Sequence, residues 1–161
     1  MPAPTDTDLA RLRAAFALAL RAREAGNLPF GCVVSDSSGN VVIEQANKAL
    51  VPVRDPTAHA ETLAAGLAAR LFEPGDLEGF TLYSSAEPCA MCAGAIYWAG
   101  IGRVVFGLSE RDLLQVTGDN PDNPTMDLPC RTVFAAGQRV VEVIGPELVD
   151  EARAVFEGYW D

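Results

Sequence analysis

A single histidine, His59, and a single lysine, Lys48, occur in this chain of 161 residues. Any role for an imidazole therefore falls on one position. Long apolar runs are missing as well. None reaches the roughly 20 residues that span a bilayer, which excludes a membrane-spanning helix. The start, MPAPTDTDLA, has neither the basic residues nor the apolar stretch of a signal peptide. These absences predict a cytoplasmic protein. Positive charge is scarce too: the net charge is −10. From Leu108 to Asp161, eleven acidic residues stand against four arginines. An acidic surface repels phosphate backbones and anionic lipid, so nucleic acid and membrane surfaces are disfavoured as partners. Arg11, Arg13, Arg21 and Arg23 are spaced like the solvated face of a helix. Linkers, repeats and low-complexity stretches are absent, and the apolar fraction is 49%. Residues 1–161 read as one soluble domain, long enough to bury a core.

Apolar periodicity and turn residues divide the chain. Leu9, Leu12, Phe16, Ala19 and Leu20 recur at helical spacing behind a Thr5/Asp8 capping pair, and Gly26 ends the pattern. Phe30 to Val34 and Val41 to Ala46 flank the turn SDSSGN and predict a hairpin. A helix is expected from Thr57 to Phe72, a strand from Phe80 to Ser85, and a helix from Pro88 to Ala99. Then follow a strand from Arg103 to Gly107, a loop, a short helix from Leu128 to Ala135, a strand from Arg139 to Ile144 and a final helix from Glu147 to Tyr159. Strands alternating with helices predict an α/β sheet covered on both faces. The opening hairpin makes that sheet mixed.

Cysteine is sparse, with four residues, and in a cytosolic chain it points to metal ligands or buried thiols rather than disulfides. Cys89 and Cys92 lie three apart in EPCAMCAGAIYWAG. That spacing puts both on one side of a helix, in a first turn whose dipole and free N–H groups favour thiolates. His59 occupies the first turn of its own helix. Two cysteines and one histidine suit one zinc ion per chain, and three protein ligands leave a fourth position for water. Glu61 lies roughly 200° round the helix from His59. At the extreme end of a helix it can still reach past the metal to the bound water, whose pKa zinc lowers towards 7, and carry its proton. Alone, a C-x-x-C is also a redox pair or half of a structural zinc site. A fourth ligand would have to be Cys32, inside a strand, or Cys130, in a distant helix. A zinc-stabilised module without catalysis is the alternative from another class.

His-x-Glu followed by Pro-Cys-x-x-Cys resembles the zinc deaminases of the cytidine deaminase superfamily. DPTAHAE and EPCAMCAGAIYWA are similar to the branch of bacterial guanine deaminases and tRNA adenosine deaminases. The resemblance extends to PFGCVV, Asn47 and IGRVVFG, from about Pro29 to Gly107. It implies a three-layer α/β/α sandwich with a five-stranded mixed sheet, a homodimer, and hydrolytic deamination that releases ammonia. It also implies zinc held by His59, Cys89 and Cys92, with Glu61 as proton shuttle. Asn47 would hydrogen-bond the base and Phe30 would stack on it, while the backbone of Ala60 and the region of Glu87 line the pocket. Trp98 matches an aromatic position near the guanine deaminase pocket. A second acid from the loop after the fourth strand falls nearest Asp119, with Asp112 and Asp122 as alternatives. The tail FEGYWD corresponds to a closing segment, in which Tyr159 or Trp160 caps a pocket. A tRNA adenosine deaminase needs basic residues for its RNA, yet from Glu147 to Asp161 one arginine meets five acids. The expected substrate is therefore a free base, guanine-like or a cytosine or s-triazine amine. A tRNA adenosine or a nucleoside is the alternative.

Overall fold

The structure is a computed structural model and describes residues 2–161. Helix α1, Asp6–Glu24, starts with the expected capping box: the Thr5 hydroxyl accepts the Asp8 N–H, and the Asp8 carboxylate accepts the Thr5 N–H. Leu12, Ala15, Phe16 and Ala19 form its buried stripe. Strands β1, Gly31–Ser35, and β2, Val41–Ala46, pair antiparallel as the predicted hairpin. Its turn is fixed by Asp36, whose side chain accepts the N–H groups of Ser38 and Asn40. Gly31 has no substitute: a Cβ there would run into the Ala15 carbonyl and Leu18, because α1 lies directly on β1.

Then follow α2, Ala60–Leu71, a single turn α3, Pro74–Leu77, and β3, Thr81–Ala86. Next come α4, Ala90–Ala99, β4, Arg103–Leu108, α5, Glu110–Thr117, and α6, Cys130–Ala135. Strand β5, Glu142–Ile144, and α7, Val149–Ala154, complete the order. The sheet runs β2-β1-β3-β4-β5, with β3, β4 and β5 mutually parallel and β1 antiparallel to its neighbours. One apolar cluster joins α2, α4 and α6 to one face, and a second joins α1 and α7 to the other. The three-layer α/β/α sandwich with a five-stranded mixed sheet is therefore the fold.

Several boundaries differ from expectation. Helix α5 occupies ground read as loop: Ser109 caps it through the Asp112 N–H, Glu110, Leu113 and Thr117 are buried, and Val116 packs beside them. The last helix stops at Ala154, short of Tyr159, and turns carry the chain onward past Gly158. Strand β5 begins only at Glu142, where it meets β4. Helices α2 and α4 start later than read, and His59 and Cys89 are their N-caps.

An ion pair with a buried carboxylate and a partly exposed guanidinium ties α1 across the sheet. Arg103 on β4 donates to both oxygens of Asp8 at 2.7 and 2.9 Å, and the Tyr83 hydroxyl adds a bond at 3.0 Å. Burial works to raise the Asp8 carboxyl, but hydrogen bonds from Arg103, Thr5 and Tyr83 outweigh it and hold it well below its ordinary value. A depressed folded pKa stabilises above the ordinary carboxyl value of 3.8, and that stability is lost as acid protonates the folded form. Arg103→Leu, which strands the Asp8 charge, is expected to cost about 3 kcal/mol in urea unfolding at pH 7. A loss below about 1 kcal/mol would mean a pair no stronger than a surface one.

Candidate active site

The carboxyl ends of the parallel strands are where an open α/β sheet holds its ligands. Here the chain leaves β3 at Ala86 and reaches Cys89, the N-cap of α4, within three residues. His59 caps α2, which packs beside α4. Both caps have extended backbone, with φ/ψ of −69/150° at His59 and −64/171° at Cys89. Two helix N-termini thus converge on the same point, where their dipoles favour anionic thiolates.

The His59 Nδ1 atom lies 3.7 Å from the Cys89 sulfur and 3.5 Å from the Cys92 sulfur. Tetrahedral bonds of about 2.0 Å to nitrogen and 2.3 Å to sulfur place such atoms about 3.6 Å apart, so the donor set fits zinc. Among the described residues these three form the one group of possible metal ligands. Cys32 and Cys130 are buried and free but stay outside it, which leaves the fourth position to a non-protein ligand. The first thiolate forms at Cys89: hydrogen bonding from Cys92 and His59 overcomes burial and brings it down to about 4. At Cys92 the bond to Cys89, burial and the Glu61 charge all push the thiol far up. The bond to Cys89 likewise raises His59, against its burial.

Glu61 does reach the metal site, although for a reason other than the helical angle. His59 is extended rather than helical, so counting 200° along a helix does not apply to this pair. The Glu61 Oε1 accepts the Ser84 hydroxyl at 2.6 Å, and Oε2 lies 3.6 Å from the Cys92 sulfur. The residue is buried, and burial raises its pKa against the Ser84 bond and the His59 charge. A carboxyl held this way is suited to take up and return a proton.

Beside these groups opens a cavity of about 360 Å³, whose wall includes Phe30, His59, Glu61, Glu87, Cys89 and Glu110. That volume is at the small end of the roughly 300–1,000 Å³ typical of ligand sites. Asn47 is buried between Phe30 and Ala49, its Oδ1 accepts the Ala49 N–H, and its Nδ2 has no partner. The amide is therefore oriented with a free donor. Ala60 is buried in the first turn of α2, where N–H groups lack intrahelical acceptors. Glu87 braces the wall: its carboxylate accepts the N–H groups of Glu110 at 2.9 Å and Cys130 at 2.8 Å.

Of the expected site residues, Asn47, Ala60, Cys92, Trp98, Asp119 and Trp160 are not among those that line this cavity. Trp98 is 85% exposed, because it sits two residues past the buried Ile96 and so points from the opposite side of α4. Asp119 lies exposed after the end of α5 and outside the wall, although the chain returns to the cavity at Pro121 and Asp122. Of its alternatives, Asp122 reaches the cavity wall, while Asp112 accepts the Ser109 hydroxyl at the start of α5. Trp160 lines an adjoining hollow of about 530 Å³ that shares Leu28, Leu50, Arg54 and Asp122 with the first. Its indole stacks on Phe156 at 5.5 Å and lies 6.3 Å from the Phe30 ring.

One acid in the wall escaped sequence reading. Glu110 is buried, and burial together with the charges of Cys89, Glu87 and Glu61 pushes it up to about 8. The available signal was Ser109 with Asp112 three residues on, a capping pattern directly after a strand.

An open zinc position beside a buried proton carrier is the equipment of a zinc-dependent hydrolase. The chain belongs to the family of the cytidine and deoxycytidylate deaminase zinc-binding region, which matches residues 5–108, and it is a zinc-dependent hydrolytic deaminase. It is 43% identical over 157 residues to the probable cytosine deaminase of Schizosaccharomyces pombe, covering 98% of this chain and 94% of that one. It is 36% identical over 110 residues to the guanine deaminase of Bacillus subtilis, covering 68% and 65% of the two chains. With the tRNA-specific adenosine deaminase of Haemophilus influenzae the identity is 41% over 106 residues, or 66% and 61%. The solved guanine deaminase from Nitrosomonas europaea is similar with a TM-score of 0.77 at 28% identity, covering 99% of this chain and 86% of that one. No helix among the described residues is long and apolar enough to cross a membrane.

Proposed function

We propose that this deaminase acts on a free nucleobase or close analogue and releases ammonia from its ring amine. The observation that carries the reading is the cavity itself, small and lined by Glu61, Glu87, Glu110 and Asp122, with Arg54 as its one basic side chain besides the ligand His59. Such a wall suits an uncharged heterocycle rich in N–H groups and repels phosphate. The similarity to a probable cytosine deaminase over nearly the whole of both chains supports cytosine as the first base to test, with guanine and s-triazine amines beside it.

Bound zinc, held by His59, Cys89 and Cys92, supplies an acidified water. Glu61 takes one proton of the attacking water and delivers it to a ring nitrogen; the proton left on the added oxygen then passes through Glu61 to the amine, which departs as ammonia as the carbonyl forms. Ser84 fixes one Glu61 oxygen, which leaves the other to serve that transfer. Asn47, with its free Nδ2, donates to an acceptor of the base, and Phe30 flanks the ring. Fixed dipoles of this kind stabilise the charge that develops as the ring loses aromaticity.

The similarity to tRNA adenosine deaminases over two thirds of this chain favours a second reading, A-to-inosine conversion in tRNA. Ammonia release from a panel of purines, pyrimidines, triazines and their nucleosides separates the two. Turnover of at least one free base is expected; silence with all of them, together with inosine formation in a tRNA anticodon arm, would replace the proposal. The chain is also taken to form a homodimer. Met91 and Trp98, seven apart on α4, leave an apolar strip exposed that a second copy can cover. A sedimentation mass of two chains is expected, and a mass of one would rule the dimer out.

A further inference from the structure

Glu110 is 4% exposed and lines the cavity, and its Oε2 has no hydrogen-bond partner within the chain. A buried carboxyl oxygen without a partner is costly, and the cost is tolerated where a ligand completes it. The residue is also held firmly. Its N–H is bonded to Glu87, which is bonded in turn to Cys130, and Ser109 caps the helix that it opens. The proton shuttle already has its group in Glu61, so Glu110 is free for another task.

The missing partner gives that task a direction: the Oε2 of Glu110 is a buried acceptor without a donor, in a residue that lines the cavity. A bound ring that offers an N–H supplies that donor. Every free nucleobase that carries a ring amine offers such an N–H. An oxygen of Glu110 accepts an N–H in either protonation state.

We infer that Glu110 is a specificity-determining residue which accepts one N–H of the substrate base and so selects bases that carry a hydrogen on that nitrogen. This rests on the free-base reading above. A methyl group or sugar on the nitrogen removes the donor and leaves Oε2 unpaired. A site built around a substrate N–H rejects the analogue that lacks it much more strongly than an apolar pocket rejects an extra methyl.

The test measures kcat and KM on zinc-loaded enzyme with the best base and with that base methylated at one nitrogen at a time. In the wild type, one methylated form is expected to show KM raised roughly 10- to 100-fold. Glu110→Leu should raise KM for the unmodified base by a similar factor and leave kcat within about threefold. The variant should also lose the selectivity against that one methylated form. Glu110→Gln keeps an acceptor oxygen and should recover most of the affinity, which a purely structural role for the charge would not allow. An unchanged KM in Glu110→Leu, or selectivity that survives the substitution, overturns the inference. If Glu110→Leu does not fold, the wild-type methyl scan decides with Glu110→Gln: tolerance of every methylated form also overturns it. A wild type silent with all bases removes the free-base reading and this inference with it. An active wild type with an unmoved variant removes the inference alone.

Discussion

Glu61→Gln is expected to keep the fold and the zinc content of the wild type while kcat falls by about 10²- to 10⁴-fold. Glutamine preserves the bond to Ser84, because its amide oxygen can occupy the Oε1 position and accept the hydroxyl. What it cannot do is take up a proton and return it. The substitution also removes a buried charge, whose burial disfavours ionisation. Stability should therefore hold or rise slightly, which separates a chemical loss from a folding loss. Ammonia release with the preferred base and metal analysis on the same sample check the outcome. Undiminished turnover would show that the proton travels by another group. Among the cavity residues the remaining buried carboxyls are Glu87 and Glu110. Glu87 is engaged by two backbone N–H groups, so Glu110 would be the first to examine.

What was legible in the sequence follows from how locally each feature is encoded. The metal ligands are spelled out by spacing, because Cys89 and Cys92 share one helix turn and His59 must come from elsewhere. The hairpin around Asp36 and the capping box at Thr5 are equally local, and both are present. Features that depend on tertiary placement were harder to read. Helix α5 buries only Glu110, Leu113 and Thr117, and two of these three are polar. Its apolar residues, Leu113, Leu114 and Val116, fall within one turn of an eight-residue helix, so the period has no second turn in which to repeat. With that helix unread, Glu110 at its head stayed unnoticed, and the acids considered in this segment were Asp119, Asp112 and Asp122. Trp98 also depends on tertiary placement: similarity of an aromatic position does not say which side of α4 it leaves, and it leaves on the exposed one. Glu61 was read as a proton carrier, yet the helical angle used for it assumed that His59 is helical. As an extended N-cap, His59 turns its ring towards the thiols while Glu61 enters the same pocket.

Zinc affinity is expected to rise with pH, and Cys89→Ala to abolish both stoichiometric zinc and turnover. Metal binds thiolates and neutral imidazole, so every proton those groups hold must leave when zinc enters. Cys89 needs little help, since Cys92 and His59 bring its thiol down to about 4. The second thiolate is the costly one, because Cys89, burial and Glu61 all oppose it at Cys92. His59 adds a second proton wherever it is charged, and its pKa is raised by Cys89. At neutral pH one to two protons are thus displaced per zinc. Competition with a chelator, corrected for the chelator's own protons, should show affinity falling about tenfold per pH unit for each displaced proton. The slope should steepen where His59 takes up its charge. Removing Cys89 leaves two ligands and strips the favoured thiolate from the α4 N-terminus. An affinity that stays flat from pH 8 to 6 would mean that Cys92 does not bind as a thiolate. Metal retained by Cys89→Ala at one per chain would assign the site to other residues.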